Sequence, residues 1–210
     1  MKTIITIGRQ FGSGGHDIGK MVAERLNIPF YDKELITLAA KEHGYAPEIF
    51  EKADETASNS FLYALSTGAF MVGHAYNAQT AIPITDKLYI AQSNIIKEAA
   101  EKGSCVIVGR CADSVLMDDP ALVSVFIHAD LQNRIRRIMK KYNIDESKAH
   151  EMIRKNDKRR ANYYNFYSSK KWSNTDSYHL AIDSGVVNTE GAAQLICDFV
   201  KIREESQNKH

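Results

Sequence analysis

One short stretch constrains this chain more than any other: Gly8-Arg9-Gln10-Phe11-Gly12-Ser13-Gly14-Gly15-His16-Asp17-Ile18-Gly19-Lys20. It follows the apolar run Ile4-Ile5-Thr6-Ile7 and leads into Met21-Val22-Ala23-Glu24-Arg25-Leu26. A buried strand, a glycine-rich turn and a helix, in that order, predict an α/β unit whose first helical amides converge on an anion such as phosphate. Gly12, Gly14 and Gly15 suit the turn, because its backbone needs positive φ and a close approach to the bound group.

The pattern G-x-x-x-x-G-K does occur, from Gly14 to Lys20. Its lysine is out of place. Ile18, Met21, Val22 and Leu26 mark one apolar helix face, and at about 100° per residue Lys20 falls roughly 200° from Ile18, some 8–9 Å along the axis from Gly14. Lys20 should therefore face solvent. The turn is then Gly12-Ser13-Gly14-Gly15, with Gly15 where a phosphate-binding lysine usually stands and Asp17 near the usual Ser or Thr. Such a loop keeps its amides and lacks its cation. Taken alone, it is equally compatible with a glycine turn that binds nothing. The dinucleotide fingerprint G-x-G-x-x-G is absent.

Four further strands are expected at Ile28–Tyr31, Ser104–Val108, Val123–Ile127 and Tyr178–Ile182. They are continuous apolar runs rather than alternating ones, as strands covered on both faces require. Helical spacing lies between them, at Ile18–Leu26, Leu35–Glu42, Leu88–Lys102, Asn133–Tyr142, Ser147–Tyr164 and Gly191–Ile202. This predicts an α/β fold with a five-stranded parallel sheet and helical crossovers. The 210 residues fit a single domain, with a polar helical insert at about 40–90. No apolar run approaches the ~20 residues that span a bilayer. Three cysteines without a CxxC pattern fit free thiols in a reduced compartment, so the chain reads as cytoplasmic.

Charge is distributed unevenly. Residues 132–172 carry 13 Lys and Arg against 4 Asp and Glu, while the remainder carries 14 against 22. The basic segment could be a solvated surface, or an RNA-binding face on which Tyr163, Tyr164, Phe166, Tyr167 and Trp172 stack bases. No RNA-binding signature accompanies it, and packing of these rings against the core is the favoured alternative.

Three more stretches bear on function. Val106-Ile107-Val108-Gly109-Arg110-Cys111-Ala112-Asp113 places an arginine at the end of a buried strand. Residues 123–138, VSVFIHADLQNRIRRI, run from a strand into an arginine-rich helix, and IRKNDKRRANYYNFYSSKKW follows at 153–172. With GRQFGSGG and IPFYDKELI, these resemble the cytidylate kinase-like family, relatives of the P-loop nucleoside monophosphate kinases. The resemblance runs over nearly the whole chain and is weakest at 43–83.

The resemblance implies a three-layer nucleoside-monophosphate-kinase-like fold with an acceptor-gripping insert and a basic lid at about 143–175. It implies ATP with Mg²⁺ as donor, and a small nucleotide acceptor. Arg110 resembles the arginine that holds the acceptor phosphate. The family's strand end reads G-R-D, whereas Cys111 stands here in place of the acid. Asp113 lies two residues on, and whether it stands in for that acid is open. Arg154, Asp157 and Arg160 resemble the lid's R…D…R arrangement.

Physical reasoning runs in parallel. A transferring phosphoryl group spreads negative charge over its oxygens, which bidentate, permanently charged guanidinium groups stabilise. Arg134, Arg154 and Arg160 are expected to do so, with Asp157 orienting Arg154 and Arg160 at helical spacing. Arg9, Gly12, Ser13, Gly14, Gly15, His16 and Asp17 are expected at the donor, with Arg9 or a lid arginine lending the charge the loop lacks. Asp32, Arg110, Asp113 and Asp157 are expected near the acceptor. Asp32 is equally a helix N-cap, and His16 equally a solvent-facing side chain. No metal-ligand spacing is present, and Cys111 has no neighbouring base. A nucleotide-binding module without catalysis is the competing class.

Overall fold

The computed structural model describes residues 2–45 and 84–207. The insert expected at about 40–90 lies mostly outside the described residues.

The chain runs β1 (Ile4–Arg9), α1 (Gly15–Leu26), β2 (Phe30–Tyr31), α2 (Lys33–Glu42), α3 (Ile84–Lys102), β3 (Cys105–Val108), α4 (Ala112–Val115), β4 (Leu122–His128), α5 (Leu131–Tyr142), α6 (Glu146–Tyr167), a 3-10 turn (Thr175–Ser177), β5 (Leu180–Asp183) and α7 (Ser184–Gln207). α7 is broken at Asn188, whose φ is 54°. The five strands form one parallel sheet in the order β2-β3-β1-β4-β5. The expected strands and helices are all present, with ends shifted by a few residues.

Alternate residues of the central strands feed two separate cores, which makes three layers. Ile4, Cys105, Ile107 and Leu122 pack on one side with Ile36 of α2 and Leu88, Ile95 and Ile96 of α3. Ile5, Ile7, Val106, Val108, Val125 and Ile127 pack on the other with Ile18 and Val22 of α1 and Ala192 and Ile196 of α7. Burial on both faces explains why these strands read as unbroken apolar runs. Helix starts follow capping chemistry. Asp32, Asp130 and Asp145 accept from the backbone N–H of Leu35, Asn133 and Lys148 at 2.9, 2.9 and 2.8 Å. Among the described residues no helix is long and apolar enough to cross a membrane.

Candidate phosphate site

β1 and β3 are neighbours, with Ile7 opposite Val108, and the segments leaving their C-terminal ends build the site. After β1, Gly12 and Gly14 take left-handed φ of 83° and 82°. Gly14 is the N-cap of α1, and no side chain caps the helix. Nothing of that kind competes with an anion for the first-turn amides, at the positive end of the helix dipole. Lys20 is exposed, with Nζ 4.0 Å from Glu24 Oε1, as the helical angle required.

The loop is held from outside through its carbonyls. Arg160 Nη1 donates to Arg9 O at 3.0 Å, Arg134 Nη1 to Phe11 O at 3.4 Å, Arg137 Nη1 to Gly12 O at 2.7 Å and Ser184 Oγ to Ser13 O at 2.6 Å. Each bond satisfies a dipole whose negative end would otherwise oppose an incoming anion. Asp157 accepts from the Phe11 N–H at 2.7 Å and pairs with Arg134 at 2.5 Å. Phe11 also packs onto Ile135, Ile138 and Ile153, so α5 and α6 together brace the turn.

This differs from the expected arginine arrangement. Asp157 makes its ion pair with Arg134 of α5 and not with Arg154; its charge still favours the guanidinium of Arg160 on its own helix, as expected. α6 buries Ala149 and Ile153 against α5, and Arg154, next in sequence to Ile153, is turned to solvent. Arg160 lies on the packed side, with its guanidinium 5.4 Å from the Phe11 ring centroid.

Beside the loop lies a cavity of about 140 Å³, lined by Arg9, Lys33, Arg110, Arg159, Arg160 and Asp113, with apolar and hydroxyl-bearing walls. Among the described residues, five cations thus face one carboxylate. Burial and the Arg160 and Arg110 charges push the Arg9 guanidinium well below the usual arginine range. Burial, then the Arg110 charge, lowers Lys33 to about 8, and burial lowers Arg160 to about 10. A cavity with such an excess of positive charge is stabilised by a dianion. A hydroxyl of the wall points the same way. Thr6 Oγ1 is buried without a hydrogen-bond partner among the described residues, a costly state unless a ligand or water meets it.

Arg110, at φ 56°, sets its guanidinium 5.5 Å from the Tyr163 ring centroid. Asp113 is buried and accepts from Tyr164 Oη at 2.6 Å; burial raises its carboxyl pKa. Cys111 is buried, and its thiol is pushed up to about 12 by burial, which makes it a poor nucleophile. His16 bridges Asp17 Oδ1 at 3.3 Å and Asp32 Oδ2 at 3.1 Å. Asp32 serves as the α2 cap and as a carboxylate at this sheet edge at once. Mg²⁺ takes one or two carboxylates plus phosphate oxygens and waters. Asp17, exposed in the first turn of α1, and Asp32 fit that requirement. No cluster of three metal-ligating side chains occurs among the described residues.

Sequence reasoning missed Lys33, Arg159, Thr6 and Tyr178 as cavity residues, and Arg137 and Ser184 as loop supports. A lysine just after Asp32, the N-cap of α2, at the sheet edge where α/β folds bind ligands, is the one signal that was available. Most aromatic rings of the basic segment pack inward. Tyr163, Tyr164, Tyr167 and Trp172 pack with Phe126 and Tyr178, while Phe166 is 70% exposed.

Among known proteins, no curated sequence matches the chain. Solved structures do. An uncharacterized protein from Eubacterium ventriosum ATCC 27560 is 33% identical over 95% of this chain and 99% of that one, with a TM-score of 0.73. A shikimate kinase from Bacteroides thetaiotaomicron is 15% identical over 96% and 99%, with a TM-score of 0.54. A gluconokinase from Sinorhizobium meliloti 1021 is 14% identical over 98% and 97%, with a TM-score of 0.51. The last two share the P-loop kinase fold. The model of the cytidylate kinase-like family matches residues 4–186, so with its lysine-free loop and arginine-lined cavity this chain belongs to that family.

Proposed function

We propose that the protein transfers the γ-phosphoryl group of ATP to a small acceptor that already carries a phosphate, with a nucleoside monophosphate as the leading acceptor. One observation carries this: a helix N-terminus free of a side-chain cap opens beside a cavity where five cations face one carboxylate. An acceptor phosphate oxygen bonds to the γ-phosphorus. The bond from that phosphorus to the β,γ-bridging oxygen breaks, and its electron pair leaves with ADP. The attacking oxygen is already anionic, so no general base is required, and catalysis is positioning plus charge stabilisation.

In this reading the amides of Gly12 to Gly15 and the first turn of α1 cradle the donor phosphates. Arg110 and Lys33 bind the acceptor phosphate. Arg160 lies between the two and neutralises the transferring group, while Arg134 and Asp157 position the loop. Asp17 and Asp32 would hold Mg²⁺, which supplies charge neutralisation to the donor phosphates. α6 is the core of the basic lid at about 143–175.

A coupled assay with ATP, Mg²⁺ and a panel of nucleoside monophosphates, with shikimate and gluconate alongside, tests the reading. Turnover on a monophosphate is expected; turnover confined to the non-phosphorylated acceptors overturns it. The glycine at position 15 favours a second reading, a nucleotide-binding module without catalysis. Nucleotide binding without turnover across the whole panel would establish that instead.

A further inference from the structure

The loop's missing cation has a physical counterpart on the neighbouring strand end. Arg9 lies six residues before Gly15, at the last position of β1. A Cβ built on Gly15 would fall 2.6 Å from Arg9 Cβ and 3.0 Å from Arg9 Cγ. Real Cβ atoms do not approach that closely, and the obstructing atoms belong to the rigid base of the arginine, not its flexible end. The aliphatic stem of Arg9 therefore occupies the space that any side chain at position 15 would need. The side chain then runs on to Gly109, where an added Cβ would fall 2.0 Å from Arg9 Nη1. Gly109, at φ 85°, is the residue just before Arg110. The guanidinium is thus laid over the end of β3, between the helix N-terminus that faces the donor and the Arg110 side of the cavity. Arg160 holds the carbonyl of the same residue at 3.0 Å.

We infer that Arg9 and Gly15 have exchanged roles: the arginine at the strand end supplies the phosphate-binding cation, and glycine at the helix start is what gives it passage. This rests on the phosphotransferase reading above. It extends that reading by assigning Arg9 to contact with the transferring phosphoryl group, and Gly15 and Gly109 to making its path. It also accounts for two glycines at once, one of them in a helical first turn where glycine brings no backbone advantage. The guanidinium lies at the join of the donor and acceptor halves. A lysine at position 15 would start from the helix instead.

The exchange predicts a pattern across three variants: Arg9→Gly, Gly15→Lys and the two together. Arg9→Gly removes the cation and opens the space. Turnover should fall by about a hundredfold, chiefly in kcat. Gly15→Lys places a side chain against the Arg9 stem, and both turnover and the melting temperature should fall. In the double variant the obstruction is gone, since the next nearest atom to a Cβ at position 15 is Ile127 Cβ at 3.4 Å. Its melting temperature should return to that of Arg9→Gly, and its turnover should recover to within about tenfold of the parent. Binding of Mg²⁺ with a non-hydrolysable ATP analogue, measured by calorimetry, supplies a readout independent of the acceptor. A parent that fails to bind the analogue overturns the phosphotransferase reading and, with it, the cation role of Arg9. A parent that binds, combined with Arg9→Gly at parental affinity and turnover, overturns the exchange alone. So does a Gly15→Lys protein that melts with the parent, because the steric premise would then be wrong.

Discussion

Asp157 of α6 joins Arg134 of α5 at 2.5 Å, and both side chains are largely shielded from water, at 17% and 11% exposure respectively. The same carboxylate takes the Phe11 N–H, and the same arginine donates to the Phe11 carbonyl. One ion pair therefore fixes both sides of a single loop residue and ties it to two helices distant in sequence. Arg134 is thereby committed to holding the loop, while Arg159 and Arg160 of α6 line the cavity.

Removing one partner of this pair leaves the other as an uncompensated buried charge. Asp157→Ala should destabilise the fold by about 3 kcal/mol, whereas Arg134→Met combined with Asp157→Leu should recover much of that loss. Urea denaturation of the three proteins measures it. A single variant as stable as the parent would mean that the pair contributes nothing.

Arg110 should act on the acceptor alone. Arg110→Ala is expected to raise the acceptor KM by about tenfold to a hundredfold with little change in the KM for ATP, and Arg110→Lys to recover only part, since an ammonium cannot reproduce a bidentate fork. Steady-state kinetics with each substrate varied in turn gives the answer. An equal rise in both KM values would place Arg110 elsewhere in the cycle.

Much of the fold was legible because the strands are buried on both faces, so that Cys105–Val108 and Leu122–His128 stand out as apolar runs. The orientation of Lys20 followed from helical angle alone. The site was less legible wherever it depends on contacts between elements. Spacing along α6 pointed Asp157 at Arg154 and Arg160; its charge does act on Arg160, but the ion pair it makes is with Arg134, which approaches from α5. Helical periodicity ranks neighbours on one helix and is silent about the next. Lys33 escaped notice because a lysine at a helix start usually faces water. Here Arg110 and Arg159 press upon it from other elements.

Asp113 and Tyr164 make a pH-sensitive pair. Burial lifts the Asp113 carboxyl pKa above its ordinary value. In the interval between the unfolded and the folded value, the folded state binds more protons than the unfolded one. Stability therefore falls as pH rises through that interval. Asp113→Asn should flatten this part of the stability–pH curve. Tyr164→Phe removes the 2.6 Å hydrogen bond that favours the carboxylate, so it should lift the carboxyl further and extend the falling limb toward higher pH. Denaturant midpoints collected at intervals between pH 4 and 8 test both. Identical slopes in all three proteins would show that Asp113 does not titrate across folding.

Arg160 is expected to stabilise the transition state rather than to bind either substrate. Arg160→Ala should lower kcat by about tenfold or more while both KM values stay close to the parent's. Its bond to the Arg9 carbonyl raises the alternative that it merely braces the loop. In that case the affinity for ATP would fall with kcat, and the split between the two constants tells these apart.

Lys33 gives the pH dependence with the sharpest sign. Its ammonium is lowered to about 8 by burial and by the Arg110 charge, against an ordinary lysine value of about 10.4. Below about 8 the folded protein carries the charged form. From there to about 10.4 the unfolded chain holds more protons than the folded one, so stability should rise with pH across this window, and Lys33→Met should abolish the rise. Anion binding has the opposite slope. A phosphate in the cavity favours the ammonium, so acceptor affinity should weaken as pH climbs past 8, while a phosphate group with its second pKa near 6 is already fully ionised and contributes no slope of its own. Arg160, lowered to about 10, titrates above Lys33. Acceptor KM measured from pH 7 to 9 should therefore increase in the parent and increase much less in Lys33→Met. A parent KM that is independent of pH would show that Lys33 does not meet the acceptor.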